Sequence, residues 1–199
     1  MIVVDVESTG VDARLCSLLS VGALDFENPV NQFYMECRAF SGAHMEKEAL
    51  KISGFTEEAI RDAKKPTDRE VAEAFLAWMK TCGEWTLAGQ NPSFDRGFLE
   101  ETAHRYHINW PLAHRTIDLH SICYFQMQKQ GREPPRKNNH SALNLDRILE
   151  YVGLPTRETK HHAFADAKLE AEALSRLLCG KNLLPEYASF GVPGSFSAS

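Results

Sequence analysis

The chain has 199 residues, 43% hydrophobic and 25% charged, with a formal net charge of −5. That length suits one domain with a substantial core, the composition excludes a disordered chain, and no apolar run approaches the ~20 residues of a membrane span. The acidic balance counts against tight, non-specific nucleic-acid binding through a basic surface, unless bound metal reverses the local field.

In chain order, residues 2–6 form a short apolar run. No basic, apolar leader precedes it, so it reads as a core strand of a cytoplasmic protein. Residues 18–26 are a second run and 32–38 an alternating third, joined by a Glu-Asn-Pro-Val-Asn turn that suggests an antiparallel hairpin. Val71, Ala74, Phe75, Trp78 and Met79 recur at helical spacing over 67–80. A short strand at 86–89 leads to Asn91-Pro92, a helix N-cap with proline at the first position. The helix it opens carries Phe94, Phe98, Leu99, Thr102 and Tyr106 on one face. Residues 116–118 read as a last strand entering a helix to about 128, and 129–140 as a polar, basic loop. Asn144 caps a helix to 152, a final helix runs over 163–178, and the Gly- and Ser-rich end from 186 reads as fraying. Strands first, then strands alternating with helices, predict an α/β domain with a mixed sheet and helices on both faces. The five cysteines (Cys16, Cys37, Cys82, Cys123, Cys179) are scattered without a C-x-x-C, which favours reduced, packed thiols over disulfides or zinc.

Chemistry concentrates in a few acids. Asp5 and Glu7, at i and i+2 of a strand, project from one face, while Ile2, Val4 and Val6 take the other. Neighbouring carboxylates resist burial unless protonated or joined by a cation; the bland alternative is a solvated strand end. Asp166 shares the apolar stripe of the last helix with Leu169, Ala173 and Leu177, and Asp95 sits beside Phe94 in the first turn of its own helix. Either acid alone could simply face a helix dipole. Four together suit hard, oxygen-ligated cations such as Mg²⁺. Two ions about 4 Å apart can clamp the attacking and leaving oxygens of a phosphoryl displacement. The attacking water needs a base, and both His161 and His162 lie close before Asp166; spacing leaves the choice between them open.

Three segments carry a resemblance. Asp5-Val6-Glu7-Ser8-Thr9-Gly10, Asn91-Pro92-Ser93-Phe94-Asp95 and His161-His162-Ala163-Phe164-Ala165-Asp166 resemble, in order, the three motifs of the DEDDh-type (DnaQ-like) 3′→5′ exonucleases. That class includes polymerase proofreading subunits, oligoribonuclease and RNase T. The stretch 143–155 resembles the short helix these enzymes carry before the third motif, and the likeness spans residues 1 to about 179. A sister class has Tyr-x-x-x-Asp in the third motif, which does not fit, because His162 stands four residues before Asp166. The second motif often begins His-Asn; here it is Gln90-Asn91.

The resemblance implies a ribonuclease-H-like fold with a mixed five-stranded sheet, an exonuclease domain over 1–180 and a partly flexible C-terminal extension over 181–199. It implies two Mg²⁺ (or Mn²⁺) held by Asp5, Glu7, Asp95 and Asp166, with His161 as general base and His162 at a variable position. Ser8, Thr9 and Gly10 would offer backbone groups to the terminal nucleotide, with Asn91 and Phe94 shaping its pocket. The implied partner is RNA or DNA with a free single-stranded 3′ end, the products are nucleoside 5′-monophosphates, and a homodimer is among the assemblies common in the family. Lys129, Arg132, Arg136, Lys137 and His140 would be placed to grip phosphates or, equally, form a solvated loop. Rival readings are a catalytically silent binding module of this fold and a related endonuclease.

Overall fold

The computed structural model describes residues 1–157, 160–194 and 196. Five strands form one sheet in the order β3-β2-β1-β4-β5: β1 (Ile2–Ser8), β2 (Leu18–Asp25), β3 (Gln32–Glu36), β4 (Leu87–Gly89) and β5 (Thr116–Asp118). The first three are antiparallel neighbours, and β4 and β5 run parallel to β1. The expected hairpin and mixed five-stranded sheet are therefore present.

Alternation along β1 sorts side chains onto two layers. Ile2, Val4 and Val6 pack with Val71, Phe75 and Phe98 from α2 (Asp68–Met79) and α3 (Pro92–Arg105). Val3 faces the opposite layer of α4 (Leu119–Lys129), α5 (Leu145–Tyr151) and α6 (Ala163–Cys179). Helices thus cover both faces. Local chemistry starts them: Thr67 and Glu70 make a capping box on α2, and Asn144 accepts the amide of Arg147 on α5. Asn91 stands at the N-cap of α3 as expected, but in left-handed conformation (φ 58°) and without a side-chain cap bond.

Two elements differ from the sequence reading. Residues 47–53 form a helix, α1 (Lys47–Ser53), which only Leu50 and Ser53 anchor to the interior; so narrow a buried face leaves little periodicity to read. The basic loop contains a small hairpin, β6 (Arg136–Lys137) and β7 (His140–Ser141), about Asn138 and Asn139. Both turn residues have positive φ, 51° and 62°, the signature of a two-residue turn that suits hairpin twist.

The chain beyond α6 is tied back. Arg176 and Glu172, both fully buried, pair at 3.0 Å. Arg176 also donates to the carbonyls of Val152 (2.9 Å) and Phe190 (2.7 Å) and to Asn182 (2.9 Å). Glu172 receives the amides of Leu183 and Leu184. The end expected to fray is thus anchored as far as Phe190; residues 195 and 197–199 lie outside the described residues. All five cysteines are free, and all but Cys179 are buried. Among the described residues no helix is long and apolar enough to cross a membrane.

Candidate active site

The carboxyl end of the parallel strands is where open α/β sheets bind ligands, and the acids gather there. Asp5 and Glu7 project from β1 towards α6. Opposite Asp5 on β2 stands Gly22, where a Cβ would lie 2.3 Å from the backbone of Phe164. The missing side chain lets the first turn of α6 press onto the sheet, which brings Asp166 over β1. Asp95 arrives from the other layer. Strand β4 pairs with β1 only as far as Val3, so the amide of Val6 has no strand partner on that side, and Asp95 Oδ1 accepts it at 2.9 Å.

Glu7, His161 and Asp166 each offer a ligand atom within 4.8 Å of one another. Asp5 and Asp95 complete the group as charges: Asp95, Glu7 and Asp166 all act on Asp5, Asp95 also acts on Glu7, and all four acids have raised pKa values. Burial is the first cause throughout. Glu7 is pushed up to about 8, with Asp166 and Asp95 adding repulsion, and Asp95 to about 7. Such a set fits hard divalent cations, which would offset the repulsion.

A cleft of about 330 Å³ opens beside these acids, lined on its floor by Asp5, Glu7, Asp95 and His161. Ser8, Gly10, Asn91 and Phe94 line it too. Thr9 does not. It is fully buried, its amide donating to Ser17 and its hydroxyl to His44, while its carbonyl accepts from Glu46. Its hydrogen-bonding groups are taken up in holding the loop, so the expected contact with the terminal nucleotide is corrected to a structural role.

The two histidines have different neighbours. The amide of His161 donates to Ile52 at the end of α1, and its ring lines the cleft with Nδ1 3.4 Å from Arg157 and 4.0 Å from Asp166. Burial, then the Arg157 charge, hold the imidazole below its ordinary pKa. His162 instead caps α6 and stacks on Tyr34 at 4.7 Å.

Two functional neighbours were missed in the sequence. Glu170, one turn after Asp166, is 1% exposed, and its Oε2 has no hydrogen-bond partner among the described residues. It is the largest charged influence on Asp5. Gly89 leaves room for it, since a Cβ there would lie 2.7 Å from that oxygen. The i+4 relation to Asp166 was the available signal. Arg157 bonds Asp146 at 2.9 Å and Asp166 at 3.1 Å. It lies in a loop, where no periodicity marks it.

The profile of the RNase T exonuclease family matches residues 2–174. The chain belongs to this exonuclease family. This member is 32% identical to ribonuclease T of Hahella chejuensis over 89% of its own length and 81% of that protein. It is 28% identical to the 3′-5′ DNA exonuclease Cap18 of Escherichia coli, over 88% of the chain and 89% of that protein. The crystallographic nuclease domain of 3′hExo, described as a DEDDh family member bound to rAMP, shares the fold with a TM-score of 0.68 at 18% identity, covering 92% and 93% of the two chains. Other relatives are longer: the chain spans 11% of a PolC-type DNA polymerase III from Oceanobacillus iheyensis and 64% of cell-death related nuclease 4. DEDDh exonucleases depend on divalent metal.

Proposed function

We propose that residues 1–180 form an exonuclease unit, extended by 181–199, that removes nucleoside 5′-monophosphates from a single-stranded 3′ end of RNA or DNA. The observation that carries this reading is the close approach of Glu7, His161 and Asp166 beside the half-buried Asp5 and the buried Asp95, where Asp5, Glu7, Asp95 and His161 line an open cleft. Asp5, Glu7, Asp95 and Asp166 would hold two Mg²⁺ or Mn²⁺, whose chemistry is to acidify water and offset charge on the phosphate. His161, whose ring lines the cleft beside the acids, accepts the proton of the attacking water. Its lowered pKa keeps it a free base near neutrality. Phe94, seated on Phe98 at 4.9 Å, offers an apolar wall to the terminal nucleoside. Asn91 and the backbone of Ser8 and Gly10 bound the same space.

The test uses 5′-labelled RNA and DNA oligomers of matched sequence, with Mg²⁺ or Mn²⁺. Shortening by single nucleotides is expected, blocked by a 3′ cap and abolished by Asp5→Ala. His161→Ala should lower turnover by about 10²-fold or more, the usual scale for a general base, and His162→Ala by little. Internal fragments from a capped substrate would indicate an endonuclease, and release unaffected by Asp5→Ala would dismiss the metal site.

A further inference from the structure

A second cavity, of about 650 Å³, adjoins the cleft and shares Gln90 and Asn91 with it. Its outer wall is the β6–β7 hairpin. Two residue pairs on exposed strands do not hold themselves in place. Specific bonds do so here: Ser141 Oγ meets His120 Nε2 at 2.8 Å, the amide of Ala142 donates to Pro135 at 2.8 Å, and Gln90 Nε2 donates to Leu143 at 3.4 Å. The hairpin is therefore clamped to the first turn of α4 and to the residue before Asn91.

Charge is distributed unevenly along this path. Glu46 and Glu48 line the α1 end of the cleft, where successive phosphates would be repelled. Lys137 and His140 line the far cavity, and neither has a carboxylate partner among the described residues. Asp118, the cavity's one acid among the described residues, already accepts the amides of Asn91 at 3.1 Å and His120 at 3.2 Å, and the Ser121 hydroxyl at 2.5 Å. These donors offset its charge and also occupy the start of α4, so an anion is left to the hairpin. Leu143 and Ala142 add an apolar floor.

We propose that this cavity seats the nucleotide on the 5′ side of the scissile bond, with the Arg136–Ser141 hairpin holding its phosphodiester. The terminal nucleoside then points towards α1, and the polyanionic strand leaves past Asn91 along Lys137 and Arg136. The proposal rests on the exonuclease reading, but its test measures binding. Anisotropy with a labelled 12-residue oligothymidylate, in Ca²⁺, is compared with competition by thymidine 5′-monophosphate. Arg136→Ala with Lys137→Ala should weaken the oligomer about tenfold or more and flatten its salt dependence, leaving the monophosphate within about twofold. Lys137→Arg should retain the oligomer. An equal loss for both ligands, no loss for either, or a wild type that binds the oligomer no better than the monophosphate overturns the subsite. A wild type that shows the expected binding yet hydrolyses neither RNA nor DNA refutes the exonuclease reading and leaves the subsite standing.

Discussion

Glu7 and Asp95 are 8% and 3% exposed, and among the described residues neither forms an ion pair; Arg157 bonds Asp166 instead. Their carboxyls hold protons more tightly in the folded chain than in the unfolded one, with pKa values pushed up to about 8 and about 7 from ordinary values of 4.5 and 3.8. The stability that this protonation contributes is complete below the ordinary carboxylate range and is lost as pH rises through the folded values. In chelator, the thermal midpoint should therefore fall from about pH 4.5 to about pH 8, and Mg²⁺ should restore it most at the alkaline end. A midpoint that is level or rising over that range without metal would contradict the arrangement. Residue identity also made part of this legible early: the D-x-E pair and Asp166 stand out as acids on apolar elements. Glu170 did not, because its place one turn after Asp166 is a weak mark until its packing against Gly89 is seen.

Elements place these residues by close approach. The contact of α6 with β2 at Gly22 sets the distance between Asp166 and Asp5, and a methyl group there would meet the Phe164 backbone. Gly22→Ala should cost ~1–3 kcal/mol in urea denaturation, as overpacking does, and should lower turnover as well, since α6 must withdraw with Asp166. A variant equal to the wild type in both measurements would show that the helix has slack at this point. Long, periodic elements such as α2 and α6 were readable from their spacing. The α1 helix was not, since its role is to wall the cleft and receive His161 at Ile52 rather than to pack a stripe. The hairpin within the basic stretch escaped for a related reason: its strands are polar on both sides, and its side-chain clamps come from residues 20 or more positions away, such as His120.

At the scale of the molecule, the buried Arg176–Glu172 pair joins α6, the end of α5 and the chain beyond 180. Removing one partner of a buried pair leaves an uncompensated charge and costs ~3–5 kcal/mol. Arg176→Ala should show that loss by denaturation, together with faster amide exchange at Leu183 and Leu184; exchange unchanged at those amides would mean that the segment is held by other contacts. Because α6 carries both this anchor and Asp166, the same helix links the C-terminal segment to the site.

By itself, the sequence determined what depends on local order: strand alternation, helical spacing, caps, and the residue types of three motifs in succession. Those were enough for the fold class, the family and the acids at issue. Only the tertiary structure decided which groups share a space, because burial and charge are sums over neighbours distant in the chain. It turned His161 into the cleft and His162 onto Tyr34, took Thr9 out of reach, and set Glu170 and Arg157 beside the acids.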